Sequence, residues 1–205
     1  MTTTFRALTH GAVAVAALGI ACCASAQSAS DTGGSVVGNG ARAGQSFIDL
    51  SVGRASYNTS CGNVAGLTCS RSTTSYSITG GNMLTQNLGV ELTAMNLGRV
   101  DRAGGSVSAR GLNLSAVGRL PLGDSFGLEG KVGGTYGRTN VSAAQDAGLP
   151  SGRASGMGLG YGAALDVNVI RGVHGTVGWE QHDFHFAGQG VSKVKNITLA
   201  LGYTF

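Results

Sequence analysis

From residue 46 to residue 205, apolar residues recur at alternate positions in eight successive stretches. This period predicts strands that are greasy on one face only, because neighbouring side chains of a strand point to opposite faces. In 46–57, Ile48, Leu50 and Val52 alternate with Asp49, Ser51 and Gly53. The stretch 73–82 puts Tyr76 and Ile78 together, and 88–99 sets Leu88, Val90, Leu92 and Ala94 against Glu91 and Thr93. In 108–120, Leu112, Leu114, Ala116 and Leu120 oppose Asn113, Ser115 and Arg119. In 126–138, Phe126, Leu128, Val132 and Tyr136 oppose Glu129, Lys131, Gly133 and Thr135. The stretch 155–167 opposes Met157, Leu159, Tyr161, Ala163, Leu165 and Val167 to glycines, Ala164 and Asp166. In 173–183, Val173, Val177 and Trp179 oppose His174, Thr176, Gly178 and Glu180. The last, 193–205, sets Ile197, Leu199, Leu201, Tyr203 and Phe205 against Asn196, Thr198, Gly202 and Thr204.

The connections at 58–72, 100–107, 139–154 and 184–192 read as long and polar, and those between them as short, Pro121–Ser125 being one. Eight such strands predict an all-β fold: an eight-stranded antiparallel up-and-down transmembrane β-barrel, with short periplasmic turns and longer outer loops. Two prolines and no Gly-X-Y period exclude collagen, and a mean hydropathy of +0.14 excludes a disordered chain. Past residue 26 no apolar run approaches the ~18 residues of a spanning helix.

Alternation alone leaves the inside and outside of the barrel unassigned. A soluble lipocalin-like carrier has the same period with its apolar face inward. Three features favour the inverted arrangement. The polar face is mostly Gly, Ala, Ser and Thr, which suits a narrow packed interior, whereas a face in water carries far more Lys and Glu; charged residues are only 12% of the chain. Glu91, Glu129, Lys131 and Asp166 all share that polar face. Aromatic residues gather near strand ends on the apolar face, Tyr57 excepted.

Residues 1–26 read as a signal peptide: Arg6, an apolar stretch from Gly11 to Cys23, and Ala24-Ser25-Ala26 before Gln27. A lipoprotein reading at Cys22 meets Gly19 where a branched aliphatic residue belongs. Removing this segment lowers the formal charge from +4 to +3, too diffuse for nucleic-acid binding. Residues 27–45, rich in Ser and Gly, read as a flexible leader to the barrel domain, 46–205. Cys61 and Cys69 remain as an even pair in an exported chain and predict a disulfide within the first long connection.

Several runs resemble one family. Ile197-Thr198-Leu199-Ala200-Leu201-Gly202-Tyr203-Thr204-Phe205 resembles the terminal strand of bacterial outer-membrane proteins. Leu88-Gly89-Val90-Glu91-Leu92, Asn96-Leu97-Gly98-Arg99, Gly111–Ala116, Leu120–Asp124 and Lys131-Val132-Gly133-Gly134 are similar, in order, to the barrel of the outer-membrane protein A family. That resemblance implies a barrel-only member of the small surface-antigen type, in the outer membrane of a Gram-negative cell. It also implies that Leu199, Leu201, Tyr203 and Phe205 are the signal read by the barrel-assembly machinery. The family's larger members continue into a peptidoglycan-binding domain, which is not expected here. The family's interior arginine on the seventh strand has His174, Thr176 or Gly178 in its place.

An eight-stranded bore is nearly filled by side chains, so lumen charges should neutralise one another. The expected network is Asp49, Glu91, Arg119, Glu129, Lys131, Asp166 and Glu180, with Glu91 meeting Lys131 or Arg119. Arg54, Arg110 and Arg138, at strand ends, are expected to contact lipopolysaccharide phosphates. Two functions stay open at this point. One is a non-catalytic, monomeric surface protein, with a gated small-solute pore as a variant and its loops as the place where an extracellular host ligand binds. The other is a lipid A-modifying enzyme, suggested by Glu180, His182, Asp183 and His185, but no His-x-Ser arrangement supports it and His182 and His185 differ in parity. No catalytic residue, metal ligand or cofactor is therefore expected. Gly156-Met157-Gly158-Leu159-Gly160 opens no helix and is not a phosphate loop.

Overall fold

The computed structural model describes residues 42–58, 69–102, 104–123, 125–142 and 151–205. Eight strands run in chain order: β1 (Ser46–Tyr57), β2 (Ser72–Met83), β3 (Leu88–Arg102), β4 (Gly105–Leu122), β5 (Phe126–Val141), β6 (Gly152–Ile170), β7 (Val173–Phe186) and β8 (Gly190–Thr204). Each pairs antiparallel with the next, and β1 closes on β8 from Phe47↔Thr204 to Tyr57↔Val194. Closure removes every sheet edge over the paired length, the condition a strand must meet in hydrocarbon. The expected signal peptide, most of the leader and Cys61 lie outside the described residues. Cys69 is disulfide-bonded.

The greasy faces point outward. Leu50, Leu114, Leu128, Val132 and Leu199 lie between 46% and 63% exposed, while Thr93, Asn113, Ser115 and Thr135 on the opposite face are buried. A protein in water would be ordered the other way round.

Two connections differ from expectation. At 100–107 and 184–192 the strands run on, and tight turns around Gly104 and Gly188 replace long loops. In the first of these, β3 carries a β-bulge, where the register with β4 shifts between Asn96 and Arg99, whereas β7 and β8 pair without a break as far as Phe186↔Gly190. Gly98 takes φ +73° at the bulge, a conformation glycine adopts without a Cβ penalty, and its N–H donates to Asn96 Oδ1 at 3.1 Å. The extra residue inverts parity, so that Leu97, Val100 and Arg102 all face the lumen and are buried. Alternation thus continues through the bulge with its phase reversed.

Tyr57, the exception to the outer aromatic pattern, points into the lumen and fastens this bulge. Its hydroxyl donates to Leu97 O at 2.9 Å and accepts from the Ala109 N–H at 3.2 Å. Tyr57→Phe should lose about 1–3 kcal/mol, since two buried backbone groups lose their partner. Urea unfolding in detergent micelles, followed by fluorescence of the single tryptophan, Trp179, reads this loss.

Candidate functional site: an ion-paired lumen and an arginine-lined outer wall

The lumen is layered. At the end where β1 begins, Phe47, Met83 and Val117 form a small buried cluster, with the Arg119 guanidinium 4.4 Å from the Phe47 ring centroid, and beside it a recess of about 330 Å³ reaches Arg119, Asp166 and His174. In the middle lie the ion pairs. At the outer end Tyr57, Leu97, Val100, Val107, Phe184, Phe186 and Val194 belong to a larger apolar cluster.

Six of the seven charged residues named from parity gather into two groups, and the seventh, Asp49, pairs separately with a histidine. Lys131 Nζ lies 2.6 Å from Glu180 Oε1 and 3.1 Å from Glu91 Oε1. Glu91, 2% exposed, therefore meets Lys131 rather than Arg119. Arg119 Nε donates to Glu129 Oε2 at 2.8 Å and stands 3.8 Å from Asp166 Oδ2. Thr176 donates to Asp166 at 2.7 Å. Asp49 joins neither cation; its Oδ1 lies 2.8 Å from His174 Nε2. In so confined a space an unpaired charge costs several kcal/mol, which is the physical reason four carboxylates interlock with the two cations here and the fifth is held by a histidine.

Two histidines on the lumen-facing parity of the seventh strand were not part of the expected charge network. His174 links Asp49 of β1 to Thr204 of β8, whose hydroxyl is 3.2 Å from Nδ1, so the clasp spans the strands that close the barrel. It crosses in front of Gly202, where a β-carbon would coincide with the Asp49 carboxylate. His182 lies 3.2 Å from Glu180 Oε2 and 3.0 Å from the Thr135 hydroxyl, which in turn donates to Asn113 Oδ1 at 2.9 Å. Both positions share the polar parity of β7. The available signal was a histidine on a face that otherwise carries small residues and charges.

The outer plug depends on glycine. β6 and β7 pair only as far out as Gly160↔His182. Beyond that point β7 leans over the inner faces of β5 and β6. Thr139 donates to His185 O, and β-carbons at Gly137 and Gly156 would fall on the Phe184 and His185 rings. The glycine-rich run of β6 is thus the floor on which β7 packs. What remains of the mid-lumen void is a cavity of about 30 Å³ lined by Glu91, Lys131 and Glu180 among others, room for about one water.

On the outside, Arg54 on β1 donates to Ser72 Oγ through Nε and Nη2 at 3.2 and 2.8 Å. Arg110 and Arg138 are direct neighbours across β4 and β5, exposed on the outer wall. On β8, Leu199, Leu201, Tyr203 and Phe205 share the outer face, the two rings stacked 6.3 Å apart.

A closed eight-stranded barrel, apolar outside and polar within, defines a transmembrane β-barrel protein. The family model of the outer membrane protein beta-barrel domain matches residues 14–205, and the chain belongs to that family. It is accordingly a protein of the outer membrane. Among solved structures it is similar to Neisserial surface protein A, with a TM-score of 0.60 and 13% identity over 79% of this chain and 99% of that one. It is similar also to OprG of Pseudomonas aeruginosa, at 0.54 and 18%, covering 81% and 98%, and to Ail, the attachment invasion locus protein of Yersinia pestis, at 0.51 and 19%, covering 80% and 99%. At these identities the likeness is one of fold. No curated protein matches the chain in sequence.

Proposed function

We propose that this protein is a sealed, non-catalytic, monomeric barrel that stabilises the outer membrane and carries its outer end at the cell surface. The observation that carries this reading is the filled lumen: the large apolar cluster packs the outer end, the ion pairs beneath it leave about 30 Å³, and the recess of about 330 Å³ at the opposite end reaches only as far as Arg119, Asp166 and His174 of that ion-paired layer. A small-solute pore needs a continuous wet path, and the outer apolar cluster together with the ion-paired layer beneath it interrupts one. The three histidines among the described residues support the absence of catalysis. His174 and His182 are committed to lumen partners, and the His185 ring packs on the inner face of β6. None stands beside a lipid-facing hydroxyl, as a lipid A deacylase of the serine type requires.

Display falls chiefly to the connections 58–71 and 142–151, because the other two outer connections are tight turns; an extracellular host ligand would bind there. The likeness in fold to Ail, an attachment invasion locus protein, favours attachment as the form such display takes. Leu199, Leu201, Tyr203 and Phe205 form one uninterrupted outward row, which suits recognition by the barrel-assembly machinery. Arg54, Arg110 and Arg138 hold the outer rim against lipopolysaccharide phosphates.

Planar-bilayer recording of the folded protein tests the sealed lumen. The expected result is no conductance above the bare bilayer, unchanged by Glu91→Ala together with Lys131→Ala. Stable channels in the unaltered protein would overturn the reading.

A further inference from the structure

The strand register aligns outward side chains in rows across the outer wall. One row reads Tyr76, Asn96, Arg110, Arg138, Ser155 from β2 to β6. The next row outward reads Arg99, Ser108, Asn140, Arg153 from β3 to β6. All four arginines are exposed, and among the described residues none of them meets a carboxylate. Arg110, Arg138 and Arg153 together line a recess of about 290 Å³.

The row on the membrane side reads Ile78, Ala94, Leu112, Tyr136, Met157. Ala94 is the one small side chain in it. It forms the floor of an almost wholly apolar groove of about 640 Å³, walled by Tyr76, Ile78, Leu112 and Tyr136 and bounded outward by Arg110 and Arg138. A long apolar slot that ends in unpaired guanidinium groups matches an amphiphile with an acyl chain and an anionic headgroup. Guanidinium forks bind phosphate oxygens bidentately. From β3 to β6 the arginines extend over three strand spacings of ~4.8 Å, roughly 14 Å, which is wider than one phosphate.

The geometry points to a lipopolysaccharide site on the β2–β6 wall, with one acyl chain over Ala94 and the headgroup phosphates on Arg110 and Arg138, flanked by Arg99 and Arg153. This rests on the proposed lipopolysaccharide contact and deepens it. It adds the groove and two arginines, and it leaves out Arg54, which lies on β1 and is engaged by Ser72.

The test measures lipid retained by the full, detergent-folded protein after loading with rough lipopolysaccharide and washing, with folding checked by heat-modifiable gel migration. Arg110→Gln with Arg138→Gln and Arg153→Gln should cut retention at least about tenfold, since two or more charge-assisted hydrogen bonds are lost. Ala94→Trp, which fills the groove and leaves every charge in place, should reduce it roughly tenfold through lost burial of acyl methylenes. Dephosphorylated lipid and deacylated lipid should each bind unaltered protein as weakly as the matching variant binds intact lipid. Full retention by Ala94→Trp would overturn the site, as would displacement of the bound lipid by equal amounts of phosphatidylglycerol or of a sulfated polysaccharide. If the unaltered protein retains lipopolysaccharide and so do all variants, this site fails while the broader contact stands. If the unaltered protein retains none, the broader contact fails too.

Discussion

Replacing Lys131 with Met should destabilise the folded barrel by about 3–5 kcal/mol, the largest loss expected from any single lumen charge. Lys131 stands between Glu91 and Glu180 at 3.1 and 2.6 Å, and removing it leaves two carboxylates in a space with room for about one water. The loss belongs to the stranded acids rather than to the missing ammonium group. Adding Glu91→Gln and Glu180→Gln in the same chain should therefore recover most of the stability, because neutral amides carry no comparable desolvation cost. Urea unfolding in phospholipid vesicles, followed by Trp179 fluorescence, measures both. A triple variant no more stable than Lys131→Met would refute the explanation.

Phe184→Ala should cost a similar ~3–5 kcal/mol, for a different reason. Phe184 is fully buried at the centre of the outer plug and packs on Gly137, so truncation opens a cavity that the surrounding wall cannot fill by collapsing. The variant should nevertheless remain closed to ions, because the Glu91–Lys131–Glu180 layer and the Phe47 cluster lie below it. Unfolding and bilayer recording of the same preparation separate the two effects. Channel activity in Phe184→Ala would show that the outer plug alone seals the lumen.

The lumen charges were readable from parity because a side chain's face in a strand follows from its position alone. Asp49, Glu91, Glu129, Lys131, Asp166 and Glu180 needed no contact information to be placed together. Their pairing was not readable. Whether Glu91 meets Lys131 or Arg119 depends on the stagger between β3 and β5, which no local pattern encodes. Parity put His174 and His182 on the lumen face too, but their partners were not readable, because a histidine on a polar face carries no signal of what it meets across the barrel. The outer plug was misread as loop at Phe184 and Phe186 and across Val100 and Val107. Across Val100 and Val107 the bulge at Gly98 shifts the phase by one residue, and an alternation that changes phase looks like one that has ended; in β7 the phase holds, but its lumen-facing positions turn from polar to apolar at Phe184 and Phe186.

The sequence by itself determined the number of strands, the inward and outward faces, and the membrane as the solvent for the greasy side, because each follows from the two-residue period and the kinds of side chain on each face. Only the tertiary structure decided that the outer end of the bore is packed with apolar side chains and that four arginines and an apolar groove share one wall. Both arise from strand register and from β7 leaning inward over glycines, and register is fixed by pairing between residues far apart in the chain.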